Sequence, residues 1–409
     1  MQKIKVVHII TKLELGGAQV NTIYTYEHLD ENKFDVYLLS GPGGILTEKI
    51  QKKDKFVIIA DLAREINPIK DISAFFHIKK ILKKIKPHIV HTHSSKAGII
   101  GRFAAFLLRK KGIPKTVHTV HGFPFSPFQS FLKRKIFEWS ERIAAYITGH
   151  FVFVANDDIN IAREKKIVKK NNFSLIRSGF PLDKFTKQGL GASVDSQNGR
   201  DIFLNKQLQG INKRGKNTKS IRAKYDIRET DFVCGIIAPF KPQKGLSHLI
   251  EIAALVTAKR KDVVFFIAGD GDKRPDIEAE LKSRNIFNNF RLPGFIFAIE
   301  DVIDIFDIGV STALWEGLPQ SLIQLRLKKK AVVVSDIPGN REVVRNDKNG
   351  YLVDVSDHVT FAERILFLIE NDKERDRLAN FKEDFSHWDA DFMVKVQEKL
   401  YRSLTGIIN

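Results

Sequence analysis

Short runs of β-branched and aromatic residues alternate along the chain with longer stretches of helical spacing. In the first half the runs predict strands over Lys3–Thr11, Phe34–Ser40, Phe56–Ala60, Ile89–His93, Lys115–His121, Phe151–Ala155 and Phe173–Ser178. In the second half they predict strands over Phe232–Ala238, Val263–Gly269, Asn289–Leu292, Ile308–Ser311, Ala331–Ser335 and Gly350–Val353. Several are apolar at nearly every position, as expected of parallel strands covered by helices on both faces. The repeated strand–helix order predicts an α/β fold of two Rossmann-like, doubly wound domains.

Between the halves the periodicity lapses. Thr186–Ser220 is rich in Gly, Asn, Gln, Ser and Lys and reads as a flexible basic linker or insertion. Lys187, Arg200, Lys206, Lys213, Arg214, Lys216 and Lys219 outweigh Asp195 and Asp201 there. Phe203 is its lone aromatic, so no stacking platform accompanies the charge. The predicted division is therefore 1–185, the linker 186–220, and a second domain 221–387, with a C-terminal segment 388–409.

Composition agrees with two cores. A chain of 409 residues with 43% hydrophobic content is folded and too long for one ordinary core. No apolar run approaches the roughly 18–20 residues that span a bilayer, and the most suggestive, Ile99–Leu108, carries Arg102. The first residues, MQKIKVVHII, lead into a polar Gly-rich loop and read as a strand instead of a signal peptide. The single cysteine, Cys234, excludes an intramolecular disulfide, is expected in a core, and fits a cytoplasmic location. A net charge of +19 would attract nucleic acid, anionic lipid or an anionic substrate. No nucleic-acid-reading module accompanies it, so nucleic acid is not an expected partner.

Candidate chemistry gathers where strands end. The first strand runs into Gly16-Gly17-Ala18-Gln19 and then a helical pattern, a turn that lets an anion approach free backbone N–H groups. It is not the G-x-G-x-x-G fingerprint of a dinucleotide site. His93-Ser94-Ser95-Lys96-Ala97-Gly98 has a similar design, suited to a phosphate or to plain helix capping by Ser94 or Ser95. His121, beside Gly122, faces the crevice at the carboxyl end of its strand. His91, His93, His118 and His121 lack a compact ligand spacing, so no metal is assigned. Asn156-Asp157-Asp158 follows a strand and reads as a helix cap.

The second half holds the denser set. Lys244, in Pro239-Phe240-Lys241-Pro242-Gln243-Lys244-Gly245, offers a mobile positive charge for a diphosphate. Gly269-Asp270-Gly271 allows close approach of a nucleotide, and Leu292–Ile296, with Phe295, would wall a base. Glu316 and Gly317-Leu318 stand before a helix. Gln324 follows eight residues after Glu316, so the two supply a hydroxyl acceptor at each end of the segment and N–H groups between.

In this order the motifs resemble glycosyltransferase family 4, the retaining transferases of GT-B fold. The resemblance covers nearly the whole chain outside the linker and includes Ser178–Phe185 and Pro338-Gly339-Asn340-Arg341-Glu342. It implies two Rossmann-like domains facing a cleft, with a final helix, Asp391–Leu404, returning to the first domain. It implies that Gly16 and Gly17 close over the donor diphosphate, that His121 sits beside the transferred sugar, and that Lys244 binds the diphosphate. Glu316 would contact sugar hydroxyls, Gly317 and Leu318 would give N–H groups, position 324 would meet the ribose, and Glu342 would lie nearby. The nucleotide sugar is then a substrate, and no cofactor or metal is expected.

Two departures stand out. The family's usual Arg five residues before Lys244 is Pro239, and the second Glu of its paired motif is Gln324; the small-residue segment after it becomes Leu325–Lys330, LRLKKK. They leave open a non-catalytic sugar-nucleotide- or partner-binding protein. Phe128, Leu132, Ile136, Trp139, Ile143 and Ile147 form one helical stripe interleaved with Lys133, Arg134, Lys135 and Arg142. Such a helix could face a core or an anionic membrane. With the net charge, it leads to the expectation of a peripheral enzyme at the inner face of the cytoplasmic membrane. That enzyme would pass a hexose to a glycan or polyprenyl-linked acceptor in polysaccharide or lipopolysaccharide synthesis.

Overall fold

The computed structural model describes residues 2–14, 16–123, 130–168, 172–182, 185, 218–296 and 298–407. The predicted linker therefore lies outside the described residues over 186–217, as does Phe128.

The chain divides into two compact units, Met1–Pro181 with Asp384–Asn409, and Leu182–Glu383. The first holds β1 (Ile4–Ile10), β2 (Phe34–Ser40), β3 (Phe56–Ile58), β4 (Ile89–His93), β5 (Lys115–Val120), β6 (His150–Phe153) and β7 (Phe173–Leu175). They form one sheet in the order β3-β2-β1-β4-β5-β6-β7, with every pairing parallel. The order reverses beside β1, the switch point where open α/β sheets bind ligands. The first unit's helices are α1 (Gly17–His28), α2 (Pro68–Ile85), α3 (Ser95–Leu108), α4 (Phe131–Ala145) and α5 (Asn156–Glu164).

The near-continuous apolar strands are explained by two separate cores. Ile4, Val6 and Ile10 of β1 pack with Tyr26, Met393, Val394 and Tyr401 on one face. Val7 and Ile9 pack with Ile78, Leu82, Ala97 and Ala104 on the other. The C-terminal helix, Ala390–Thr405, thus belongs to the first unit. Tyr24 donates to Asp391 at 2.6 Å and the Asp30 N–H to Glu398 at 2.9 Å. The Ser178–Phe180 strand end is tied down at the same place: the Phe180 N–H donates to the Trp388 carbonyl, and the Ala390 N–H donates to the Phe180 carbonyl. A Cβ on Gly179 would stand 2.6 Å from the Ala390 Cα, so only glycine fits.

Asp157 and Asp158 occupy the first turn of α5 while Ala155 is its cap residue, so their charge serves the helix dipole. His118 and His121 point to opposite faces. His118 bonds Thr92 Oγ1 at 2.9 Å and lies against Gly98 on the α3 side.

Arg102 does not weaken α3; it anchors it. Its fully buried guanidinium donates to the Gly98 carbonyl at 2.8 Å, Thr148 Oγ1 at 3.0 Å and the Glu141 carboxylate of α4 at 2.8 Å. Deleting one partner of such a pair strands a buried charge. Arg102→Ala is expected to lower stability by about 3–5 kcal/mol. Urea unfolding would check this, and a loss under about 1 kcal/mol would show the pair to be dispensable.

The second unit holds β8 (Phe232–Ile237), β9 (Val263–Ala268), β10 (Phe290–Gly294), β11 (Ile308–Ser311), β12 (Ala331–Ser335) and β13 (Tyr351–Val353). Their order is β10-β9-β8-β11-β12-β13, again all parallel, with the switch point beside β8. Cys234 is fully buried among Ile236, Phe265 and Ile308, and burial pushes its thiol pKa well up.

The basic segment after Gln324 proves structural. Arg326 is almost wholly buried and donates to Glu383 at 2.7 and 3.0 Å and to the Leu378 carbonyl at 3.0 Å. Lys328 pairs with Asp304 at 3.0 Å, and Lys330 donates to the Phe306 carbonyl at 2.5 Å. LRLKKK therefore secures the end of its helix within the second unit.

Candidate active site

In the second unit the candidate residues lie on loops leaving the carboxyl ends of the strands. The loop after β8 closes with a single 3₁₀ turn, Pro242–Lys244, and Gly245 at φ 58. A Cβ there would meet the Thr312 carbonyl oxygen at 2.1 Å, so glycine lets this loop lie against the one following β11. Two hydrogen bonds then stitch the loops together. The Leu314 N–H donates to the Gln243 carbonyl at 2.8 Å, and Thr312 Oγ1 donates to the Lys244 carbonyl at 3.1 Å.

This backbone brings Lys244 and Glu316 into an ion pair, though 72 residues separate them. Their side chains are 16% and 12% exposed. Gln243, a residue that sequence reasoning passed over, braces the pair by donating to the Trp315 carbonyl at 2.8 Å and to Glu316 at 3.4 Å. The ammonium keeps an exposed edge, where an anion can compete with the carboxylate for it, leaving the carboxylate able to accept from a hydroxyl.

Gly317 and Leu318 precede the helix Gln320–Leu327, whose cap residue is Pro319. Their backbone N–H groups thus sit in the approach to the helix, as expected, and make no hydrogen bond among the described residues. Gln324 is in the second turn and half buried. Gly339 presses against Glu316, with a Cβ there 2.6 Å from the Glu316 carbonyl oxygen, so the short helix Pro338–Arg341, with Glu342 as its C-terminal cap residue, packs against the Glu316 backbone.

Gly269 has a use the motif alone did not disclose. A Cβ there would lie 1.9 Å from the Ala238 carbonyl oxygen, and its N–H donates to the Gly294 carbonyl at 2.9 Å. The glycine is required by packing under the Lys244 loop. Asp270 turns to Arg274 at 2.8 Å, which holds its carboxyl below the usual range, ahead of the opposing effect of burial. Phe295 stands exposed just past β10.

In the first unit, Gly16 is an extended residue preceding α1, and Gly17 is the first residue of that helix. His121 follows β5, next to Gly122 at φ 105. Burial depresses its pKa to about 4, so the ring is neutral near pH 7. Ser94 caps nothing with its side chain. It sits at φ 61, ψ 153, a strained conformation for a non-glycine residue, and bonds back to Thr11 Oγ1 at 2.7 Å. Lys96 pairs with Asp71 at 2.5 Å.

Behind His121 lies a histidine cluster that the strand-by-strand reading did not anticipate. Parallel register sets His8 opposite His91, and the ligand-type nitrogens of His8, His91 and His93 lie within 4.8 Å of one another. His8 was passed over because its partners arrive 83 or more residues later in the chain. Burial lowers all three pKa values, that of His8 to about 3.

Comparison with known proteins extends over both units. The family described as Glycosyltransferase Family 4 matches residues 15–184, and Glycosyl transferases group 1 matches residues 217–385. The chain is 29% identical to the Escherichia coli UDP-Gal:alpha-D-GlcNAc-diphosphoundecaprenol alpha-1,3-galactosyltransferase, over 89% of this chain and 87% of that protein. It is 24% identical to the Campylobacter jejuni N,N'-diacetylbacillosaminyl-diphospho-undecaprenol alpha-1,3-N-acetylgalactosaminyltransferase, over 91% and 92%. Among solved structures, Anabaena HepE in complex with UDP-glucose superimposes with a TM-score of 0.76 at 15% identity, covering 98% and 100% of the two chains.

Proposed function

The chain belongs to the family 4, group 1 glycosyltransferases of GT-B fold, and from that premise we propose that it transfers a hexose with retention from a UDP- or GDP-sugar to a lipid-linked glycan acceptor at an anionic membrane surface. The observation that carries the reading is the braced Lys244–Glu316 pair on the carboxyl edge of the second sheet. Uridine is the first base to test, because HepE was solved with UDP-glucose and the Escherichia coli relative names UDP-Gal.

Each group then has a task. Lys244 and the Gly317 and Leu318 N–H groups offset the charge that builds on the departing diphosphate. Glu316 accepts from sugar hydroxyls, and Gln324 accepts from the ribose in place of a carboxylate. Gly16 and Gly17 bring backbone N–H groups to the diphosphate, and neutral His121 hydrogen-bonds the sugar. Gly269 and Phe295 border the nucleoside. In front-face substitution the acceptor oxygen bonds to the anomeric carbon as the carbon–diphosphate bond breaks. The acceptor proton passes to the leaving phosphate oxygen, so no enzyme nucleophile is required.

The non-catalytic reading loses one of its grounds, since the basic residues after Gln324 are engaged within the second unit. Pro239 remains a missing cation. Isothermal titration separates the donors: binding of UDP or GDP that is weakened by Lys244→Ala supports the assignment. Absence of binding by every nucleoside diphosphate removes it.

The lipid half of the proposal rests on α4. Phe131, Leu132, Ile136, Trp139 and Ile143 are all more than half exposed, so the stripe faces outward instead of packing in a core. Arg134, Lys135 and Arg142 stand among them. Apolar insertion with basic residues alongside suits an anionic bilayer. The protein is expected to co-sediment with phosphatidylglycerol vesicles at low salt. Ile136→Glu with Trp139→Glu should weaken binding by about tenfold or more, because each side chain forfeits roughly 1.5–3 kcal/mol of burial. Equal binding by the double variant would assign the attraction elsewhere.

A further inference from the structure

Three histidines on neighbouring strands form a chain that ends at the candidate sugar contact. His8 of β1 lies fully buried at the inner end, with its Nδ1 3.0 Å from His93 Nε2. His93 of β4 is 3% exposed, and its Nδ1 is 3.3 Å from His121 Nε2. The His121 Nδ1 has no partner among the described residues and is the nitrogen left for a ligand. The rings of His8 and His93 are stacked, with centroids 5.3 Å apart.

A neutral imidazole carries one N–H, so such a chain has only two arrangements, and one ring's tautomer dictates the next. In the first, each hydrogen bond points outward: His8 donates to His93, His93 donates to His121, and His121 presents an Nδ1–H donor. In the second, every bond is reversed and His121 presents a lone pair. The inner terminus decides between them. His8 Nε2 is buried with no hydrogen-bond partner. In the reversed arrangement that atom would be an orphaned N–H, which buried interiors tolerate less readily than an unsatisfied lone pair. His91 does not interrupt the chain, for its nitrogens are bonded to Tyr401 Oη at 2.5 Å and Thr119 Oγ1 at 2.7 Å.

We propose that His93, backed by His8, is a positioning residue that locks His121 in the Nδ1–H tautomer, so that His121 meets the bound sugar as a neutral hydrogen-bond donor. The role of His121 toward sugar rests on the proposed transferase function; the tautomer does not. The other rings near the chain are His91 and Tyr401 on its own face and His118 on the opposite face of the sheet. Burial keeps all three histidines of the chain neutral near pH 7, so the lock holds without a charge.

The test is nitrogen-15 imidazole NMR on the full chain labelled at histidine, with His121 signals identified by their loss in His121→Asn. Wild type is expected to show His121 with a protonated Nδ1, opposite to the preference of a free imidazole for Nε2–H. His93→Met should return His121 to Nε2–H and lower kcat about tenfold with an unchanged donor KM, the worth of one well-aimed hydrogen bond. His93→Asn, whose amide nitrogen takes the place of the ring Nδ1 and can still donate to His121 Nε2, should restore both the Nδ1–H signature and most of kcat. Wild-type His121 protonated at Nε2, or a His121 tautomer indifferent to His93→Met in a folded protein, would overturn the proposal. The spectrum needs no turnover, so an inactive protein with the expected signature would count against the transferase reading alone.

Discussion

Lys244→Ala is expected to cut kcat for sugar transfer by about 10²–10³-fold, the usual consequence of removing one preorganised group that stabilises departing charge. The ammonium is braced on that edge by Glu316, which Gln243 in turn supports. Glu316→Ala should cost a similar factor, because the carboxylate holds Lys244 and, in the proposed mechanism, accepts from sugar hydroxyls once the donor is bound. The two losses should not add, since the residues act as one hydrogen-bonded unit. Both positions keep an exposed edge, so the variants should fold with near-native melting temperatures. Steady-state kinetics on the two single variants and the double variant check this. A change of less than about threefold in either single variant would remove the pair from the mechanism.

The second large effect is acid sensitivity of the first unit. His8, His91, His93, His118 and His121 all have pKa values depressed chiefly by burial, to about 3 for His8 and about 4 for His121. In the unfolded chain each would titrate at 6.5. Below that value the unfolded state binds protons the folded state refuses, so stability falls as pH drops and is whole above it. One pH unit below the unfolded pKa, each ring costs about 1.4 kcal/mol. Five such rings approach the roughly 5–15 kcal/mol that hold a domain together. Calorimetry should therefore find a melting temperature nearly level from pH 7 to 8.5 that collapses between pH 6.5 and 5. A melting temperature at pH 5.5 within about 2 °C of that at pH 7.5 would mean that these rings accept protons without unfolding.

That cluster also marks the boundary of what the sequence made legible. The strands were readable because both sheets are parallel and covered on both faces, so each strand is a dense apolar run with loops at its ends. The loops carrying Lys244 and Glu316 were readable because glycine and strand ends announce them. Contacts across register were not. His8 sits in an apolar run as an isolated polar letter, and its partners are defined only when β1 pairs with β4. Arg326, Lys328 and Lys330 looked like damage to a donor site because sequence cannot show that Glu383 and Asp304 await them. Periodicity likewise finds the stripe on α4 but cannot tell whether protein covers it; exposure of Trp139 at 62% answers that. Gly269 is the reverse case, a residue expected to admit a nucleotide whose missing Cβ is needed by Ala238.

The assay that bears most directly on the transferase reading presents the purified chain, on anionic vesicles, with a panel of UDP-, GDP- and ADP-sugars and a diphosphoundecaprenol-linked saccharide. Mass spectrometry of the lipid should find one added hexose for each UDP or GDP released, and about 10²–10³-fold less product in the same time with Lys244→Ala. Saturable nucleotide binding with no lipid product and no diphosphate release from any donor would contradict it, and would make this chain a sugar-nucleotide-binding protein on a transferase fold.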